Sequence, residues 1–168
     1  LSQECKVDYI LFKRDLDEHL KVSAGEAAGY EKIKKWFPFS DSIYAVERLR
    51  RRGHQPDAAA VARNWSDDLS QIRQLKTRLK ADSSLGMDEI YQAGLVINDL
   101  KRSIASVYNF YNGYDPLFTW WMPKPYKELD SMLTTYADAF KEKSKAFTPA
   151  DNSGIVGKPA GREELLRQ

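Results

Sequence analysis

The sequence predicts an all-α protein: a bundle of long amphipathic antiparallel helices with one short aromatic-rich connecting helix. Three observations carry that expectation. Apolar residues recur at three- and four-residue steps along most of the chain, the period of a single helical face. From Ile90 to Tyr111 the recurrence tightens to a strict seven-residue repeat. The apolar–polar alternation of a half-buried strand is scarce.

Each element follows from its spacing and its breakers. Tyr9, Phe12, Leu16, Leu20, Ala27, Tyr30, Ile33 and Phe37 fall near one stripe, which predicts a long first helix from about Ser2 to Lys35. Gly25 and Gly29 weaken its second half and are expected to bend or interrupt it. Pro38 ends it, because the residue before a proline avoids the helical region. A short helix capped by Ser40 or Asp41 carries Ile43, Val46 and Leu49 and closes at Gly53. Pro56-Asp57 opens a third helix, with proline suited to the first turn, along Ala58, Val61, Trp65, Leu69, Ile72, Leu75 and Leu79. After the turn-forming stretch from Ala81 to Gly86, the fourth helix sets Ile90, Ile97, Ile104 and Tyr111 alternating with Ala93, Leu100 and Val107. That seam packs lengthwise against other helices, and with the third helix it predicts an αα-hairpin. A fifth long helix carries Tyr126, Leu129, Leu133, Tyr136, Phe140 and Phe147. The expected organisation is one domain: a bundle over 1–147, an exposed Gly/Pro loop over 148–161, and the start of a helix over 162–168. A helix only two turns long is marginal by itself, so the chain is expected to be a fragment of a larger protein.

Composition narrows the class. At 168 residues the chain is long enough for one real core. No apolar run reaches the roughly 20 residues of a membrane span. The charge balance, 26 basic against 24 acidic residues, lacks the concentrated basic face that nucleic acid requires. The single basic cluster, Arg48 to His54, is expected to complement a helix C-terminus. Cys5 is the only cysteine, which favours a reducing, cytoplasmic setting. It is expected to be a small buried residue. Asn64-Trp65-Ser66 matches a glycosylation acceptor but sits on a helical pattern.

Catalytic constellations are sparse. His19 and His54 are the only histidines. Asp15 and His19 stand four residues apart, and their expected role is an electrostatic pair on one helical face. The chain has no G-x-S-x-G, P-loop or dinucleotide-binding glycine pattern.

The densest feature is Tyr108 to Tyr126, "YNFYNGYDPLFTWWMPKPY", with eight aromatic residues among nineteen. Asn112-Gly113 ends the fourth helix, Asp115-Pro116 caps and opens a short helix, and Pro123 and Pro125 open the fifth long one. Packing at a helix crossing is the first expectation for these rings. The sharper expectation is a binding wall made by Tyr114, Trp120, Trp121 and Tyr126. Stacking on sugars or bases is the third.

The segment "FYNGYDPLFTWWMPKPY", the downstream "GREELLRQ" and, more loosely, the opening "LSQECKVDYILFKRDL" resemble a family catalogued as domain of unknown function eight-eight-five. Its members are long, nearly all-helical proteins similar to gluzincin-type zinc metallopeptidases. The likeness runs over essentially the whole chain. It implies the N-terminal helical portion of such a protein, forming a wall or lid of the substrate channel. The implied partners are the remainder of the parent polypeptide and a peptide substrate, with zinc in the full-length parent. No H-E-x-x-H-like motif occurs here, so no catalytic or zinc-binding residue carries over, and the chain by itself is expected to be inactive. Two other readings stand beside this one: a non-catalytic interaction or scaffold domain, and a ligand-binding helical bundle.

Overall fold

Capping chemistry sets the helix boundaries in the computed structural model, which describes residues 2–145 and Arg162. The loop expected over 148–161 lies outside those residues, as does the helix start over 162–168 apart from Arg162. The described residues are all-α, with no strand among them. They form two compact units, one ending at Trp36 and one beginning at Phe37.

The first unit is α1, Gln3–Ile33, followed by a 3-10 turn at Lys34–Trp36. The Ser2 hydroxyl caps α1 by accepting from the Cys5 N–H at 3.2 Å. Contrary to expectation, Gly25 and Gly29 do not interrupt it. A glycine costs a helix only about 1 kcal/mol relative to alanine, too little to break a segment supported on both sides. The stripe of Tyr9, Phe12, Leu16 and Leu20 is exposed, and Ile10 and Leu11 beside it are exposed too. Cys5 is likewise exposed rather than buried. Periodicity identifies an apolar face without saying what covers it.

The second unit is a four-helix bundle of α2 (Ser40–Arg51), α3 (Ala58–Ala81), α4 (Met87–Tyr111) and α6 (Pro123–Ser144), with α5 (Pro116–Trp121) across one end. Gly53 adopts φ of 72°. The His54 N–H reaches the Leu49 carbonyl and the Gly53 N–H that of Arg50, both at 3.0 Å, closing α2 in a Schellman turn. α3 starts at Ala58 rather than at Pro56. Asp57 is its N-cap, accepting from the N–H groups of Ala59 (3.0 Å) and Ala60 (3.1 Å), so the proline stands just outside the helix.

Around the bundle the order is α2, α3, α6, α4. Consecutive α3 and α4 run antiparallel but stand diagonally, so the hairpin expected from their short connection is splayed and α6 fills the space between them. α3 and α6 are parallel. Lys143 Nζ on α6 donates to the carbonyls of Lys80 (2.8 Å) and Asp82 (2.6 Å) at one end, while the starts of α3 and α6 lie together at the other.

Along α3, α4 and α6 the core follows the expected stripes, whereas Leu49 of α2 is exposed. Ile90, Ala93, Ile97, Leu100, Ile104, Val107 and Tyr111 of the seven-residue seam are all buried. So are Trp65, Leu69, Ile72, Leu75 and Leu79 on α3, and Leu129, Leu133, Tyr136 and Phe140 on α6. Each large apolar side chain so buried contributes about 1.5–3 kcal/mol. Phe37 stacks on Phe140 with centroids 6.1 Å apart, and Tyr136 meets Phe140 edge-on at 5.1 Å, filling the end away from α5.

Candidate functional site

The aromatic elbow begins where α4 ends. Gly113 takes φ of 85°, a conformation that disfavours any side chain, and lets the chain reverse. The Asp115 carboxylate then accepts from the N–H groups of Leu117 (2.9 Å) and Phe118 (3.0 Å), starting α5 with Pro116 in its first turn. Those backbone bonds, the Phe118 one foremost, and a 2.6 Å bond from Gln55 Nε2 hold the Asp115 carboxyl below the usual range. The Tyr111 hydroxyl donates to the His54 carbonyl at 2.8 Å. Together these bonds tie the α2–α3 connection to the elbow, so α5 is held from two sides.

A six-residue helix has an inner and an outer face, and the rings divide between them. Phe118 and Met122, four residues apart, are fully buried, with Phe118 5.1 Å from the Tyr111 ring. Tyr114, Leu117, Trp120 and Trp121 point outward, Trp120 being 80% and Trp121 49% exposed. The packing expectation therefore holds for one half of the elbow and not for the other.

The four residues of the expected binding wall do not line one recess. Trp120 and Trp121 border a recess of about 620 Å³, floored by Ala59, Ala62 and Pro125. Tyr114 is exposed but does not line that recess. Tyr126 turns the other way and stacks on Tyr108 at 4.0 Å, nearly parallel, where burial raises its hydroxyl pKa. The reason is the fifth long helix itself: Tyr126 lies one turn into α6, on the side facing α4.

A second recess of about 670 Å³ continues along α3 and α6 past Leu69, Met132 and Thr135, and Lys124 lines both. Arg63, Arg73, Lys124 and Lys127 border this groove against Asp67 and Glu128. These polar positions carry no periodic signal of their own, because they sit on the outer side of helices whose apolar stripe dominates the pattern. Arg63, Asp67 and Arg73 lie on α3, and Lys124, Lys127 and Glu128 on α6.

Two buried acids were also missed. Glu47 takes two hydrogen bonds from Arg50 (2.7 and 2.8 Å) and one from Arg51 at 3.0 Å. The Arg50 bonds hold its carboxyl below the usual range, against the opposing effect of burial. The basic cluster is thus partly consumed within α2, and Arg50 also lies over the Phe110 ring at 5.4 Å. Asp68 lies between α3 and α2 in hydrogen-bond contact with the Ser42 hydroxyl. Burial pushes it up to about 6. Its position beside Trp65, Leu69 and Ile72 on the buried stripe was a legible signal.

Zinc does not fit the described residues. His19 has only Asp15 beside it, at 3.3 Å on an exposed surface. No group of three His, Cys, Asp or Glu side chains converges among the described residues. No helix among them is long and apolar enough to cross a membrane. The groove offers stacking faces and cations.

No protein-family model matches the chain, and no curated protein or solved structure matches it.

Proposed function

We propose that this chain forms a wall of the substrate channel in a zinc metallopeptidase-like parent and carries no catalytic residue itself. The observation that supports this reading is the outward projection of Trp120 and Trp121 beside a recess large enough for a side chain or a short peptide. Large exposed rings next to a concave apolar floor cost solvation that a bound ligand recovers. The resemblance of the same segment to the helical metallopeptidase-like family supplies the parent and the peptide substrate. In this reading zinc belongs to the parent.

The test is Trp121→Ala in the intact parent protein. A channel wall predicts a fall in kcat/KM for peptide hydrolysis of about tenfold, from loss of a contact of 1–2 kcal/mol. The melting temperature should change little, because the ring is half-exposed. A large drop in melting temperature with unchanged kinetics would return Trp121 to a packing role.

A second reading, an interaction module, is favoured by one specific feature. α1 exposes Tyr9, Ile10, Leu11 and Phe12 in succession, with Leu16 and Leu20 continuing the face. Such a face suits docking against the remainder of the parent polypeptide.

A further inference from the structure

The groove along α3 and α6 has a charge character that the channel-wall reading does not require. Of its four cations, only Lys124 makes an ion pair, with Glu128 at 4.0 Å across a well-exposed gap. Arg63, Arg73 and Lys127 make no ion pair among the described residues. Some cations elsewhere are paired, as in Lys101 with Asp130 at 3.4 Å and Lys145 with Glu142 at 2.6 Å, while others such as Lys76 and Arg78 are not paired among the described residues. Three unpaired cations and Lys124 therefore border the groove, against the two carboxylates of Asp67 and Glu128.

The helices reinforce them. Because α3 and α6 are parallel, both positive dipole ends lie at the tryptophan end of the groove. Asp57 answers the dipole of α3, but α6 starts at Met122 with no capping side chain. Pro123 and Pro125 offer no N–H there, which leaves the Lys124 N–H as a donor at that helix start. From Lys124 to Thr135 the groove follows α6 for about 16 Å. An extended peptide of about five residues covers that length.

Resting on the channel-wall reading, we infer that the groove prefers an acidic peptide, one that lays a large apolar side chain against Trp120 and Trp121 and directs carboxylates toward Arg73, Lys124 and Lys127. Charge complementarity selects this occupant over a neutral or basic peptide. Exposed charge pairs are individually weak, but a row of unpaired cations acts together and its effect is screened by salt.

The experiment uses the full 168-residue chain and three unlabelled pentapeptides with a central phenylalanine flanked by aspartates, serines or lysines, titrated by calorimetry. The expected order of affinity is aspartate, then serine, then lysine, with the aspartate peptide weakening as salt rises. Arg73→Glu with Lys127→Glu should weaken the aspartate peptide by about tenfold and leave the serine peptide unchanged. Both side chains are exposed and unpaired, and circular dichroism checks that the variant keeps its helices. Equal affinity for the aspartate and lysine peptides, or indifference to the double charge reversal, overturns the acidic preference. If the serine peptide still loses binding in Trp121→Ala, the channel wall survives that outcome. Charge-dependent binding untouched by Trp120→Ala and Trp121→Ala sinks the wall and keeps the groove. No binding of any peptide overturns both.

Discussion

At the scale of single residues, Asp68 is the group whose environment most contradicts its chemistry. It is only 7% exposed, and its hydrogen-bond partner is a hydroxyl rather than a cation. The Ser42 hydroxyl also lies 2.9 Å from the Phe39 carbonyl, and a hydroxyl has one proton to give. With Asp68 ionised, Ser42 serves either the carboxylate or the carbonyl. With Asp68 protonated, the acid donates to Ser42 and Ser42 donates to Phe39, so all three groups are satisfied. Burial, which pushes the carboxyl up to about 6, acts in the same direction. An unfolded aspartate titrates near 3.9. The folded value is raised, so this contribution to stability is full below about pH 4 and is lost as pH rises through about 6. The loss is on the order of 2–3 kcal/mol. Asp68→Asn should therefore be more stable than the parent chain at pH 8 and should flatten the stability profile between pH 4 and 7. Urea unfolding at three pH values checks this, and an unchanged slope would show that Asp68 is not the group responsible.

At the scale of elements, α5 shows how a short helix can serve two purposes. Its inward residues, Phe118 and Met122, close the end of the bundle, while its outward residues leave the core untouched. Phe118→Ala should cost about 3–5 kcal/mol, the usual penalty for emptying a buried phenylalanine site. Leu117→Ala, one position earlier but 66% exposed, should change stability by less than about 0.5 kcal/mol. Chemical denaturation of the two variants side by side measures the contrast. Similar losses in both would mean that Leu117 is covered in solution. The boundaries of α5 were legible in advance, because Gly113, Asp115, Pro116 and Pro123 each act through local backbone chemistry. The division of its rings was not. A six-residue helix is too short to show a period, and which of Phe118, Trp120 and Trp121 turns inward depends on where α4 and α6 stand.

At the scale of the whole molecule, the bundle depends on the α4 seam. Ile97 is fully buried midway along it, with Ala93 and Leu100 on either side. Ile97→Ala should remove about 2–5 kcal/mol and lower the denaturant midpoint with little change in slope, as expected when one cooperative core is weakened. A variant that unfolds in two steps would show instead that the helices melt independently. The seam could be read from its heptads because it contacts helices lengthwise, so chemistry and geometry share one period. The diagonal placement of α3 and α4 could not be read, since a short connection fixes direction and proximity at the turn but not which helix fills the space between them.

Sequence by itself determined the helices, the Asp115 cap of α5 and the buried stripes from Ala58 to Leu79 and from Ile90 to Tyr111. Those follow from backbone sterics, capping bonds and a 3.6-residue period, all local in origin. It did not determine the start of α2, where Ser40 lies inside the helix after Phe39 and no side chain caps it as expected of Ser40 or Asp41. Only the tertiary structure decided that Trp120 and Trp121 face a groove, that Tyr126 turns away to stack on Tyr108, and that Arg63, Arg73, Lys124 and Lys127 share one side. These are relations between residues far apart in the chain. They arise when parallel α3 and α6 come together, a pairing that no local pattern encodes.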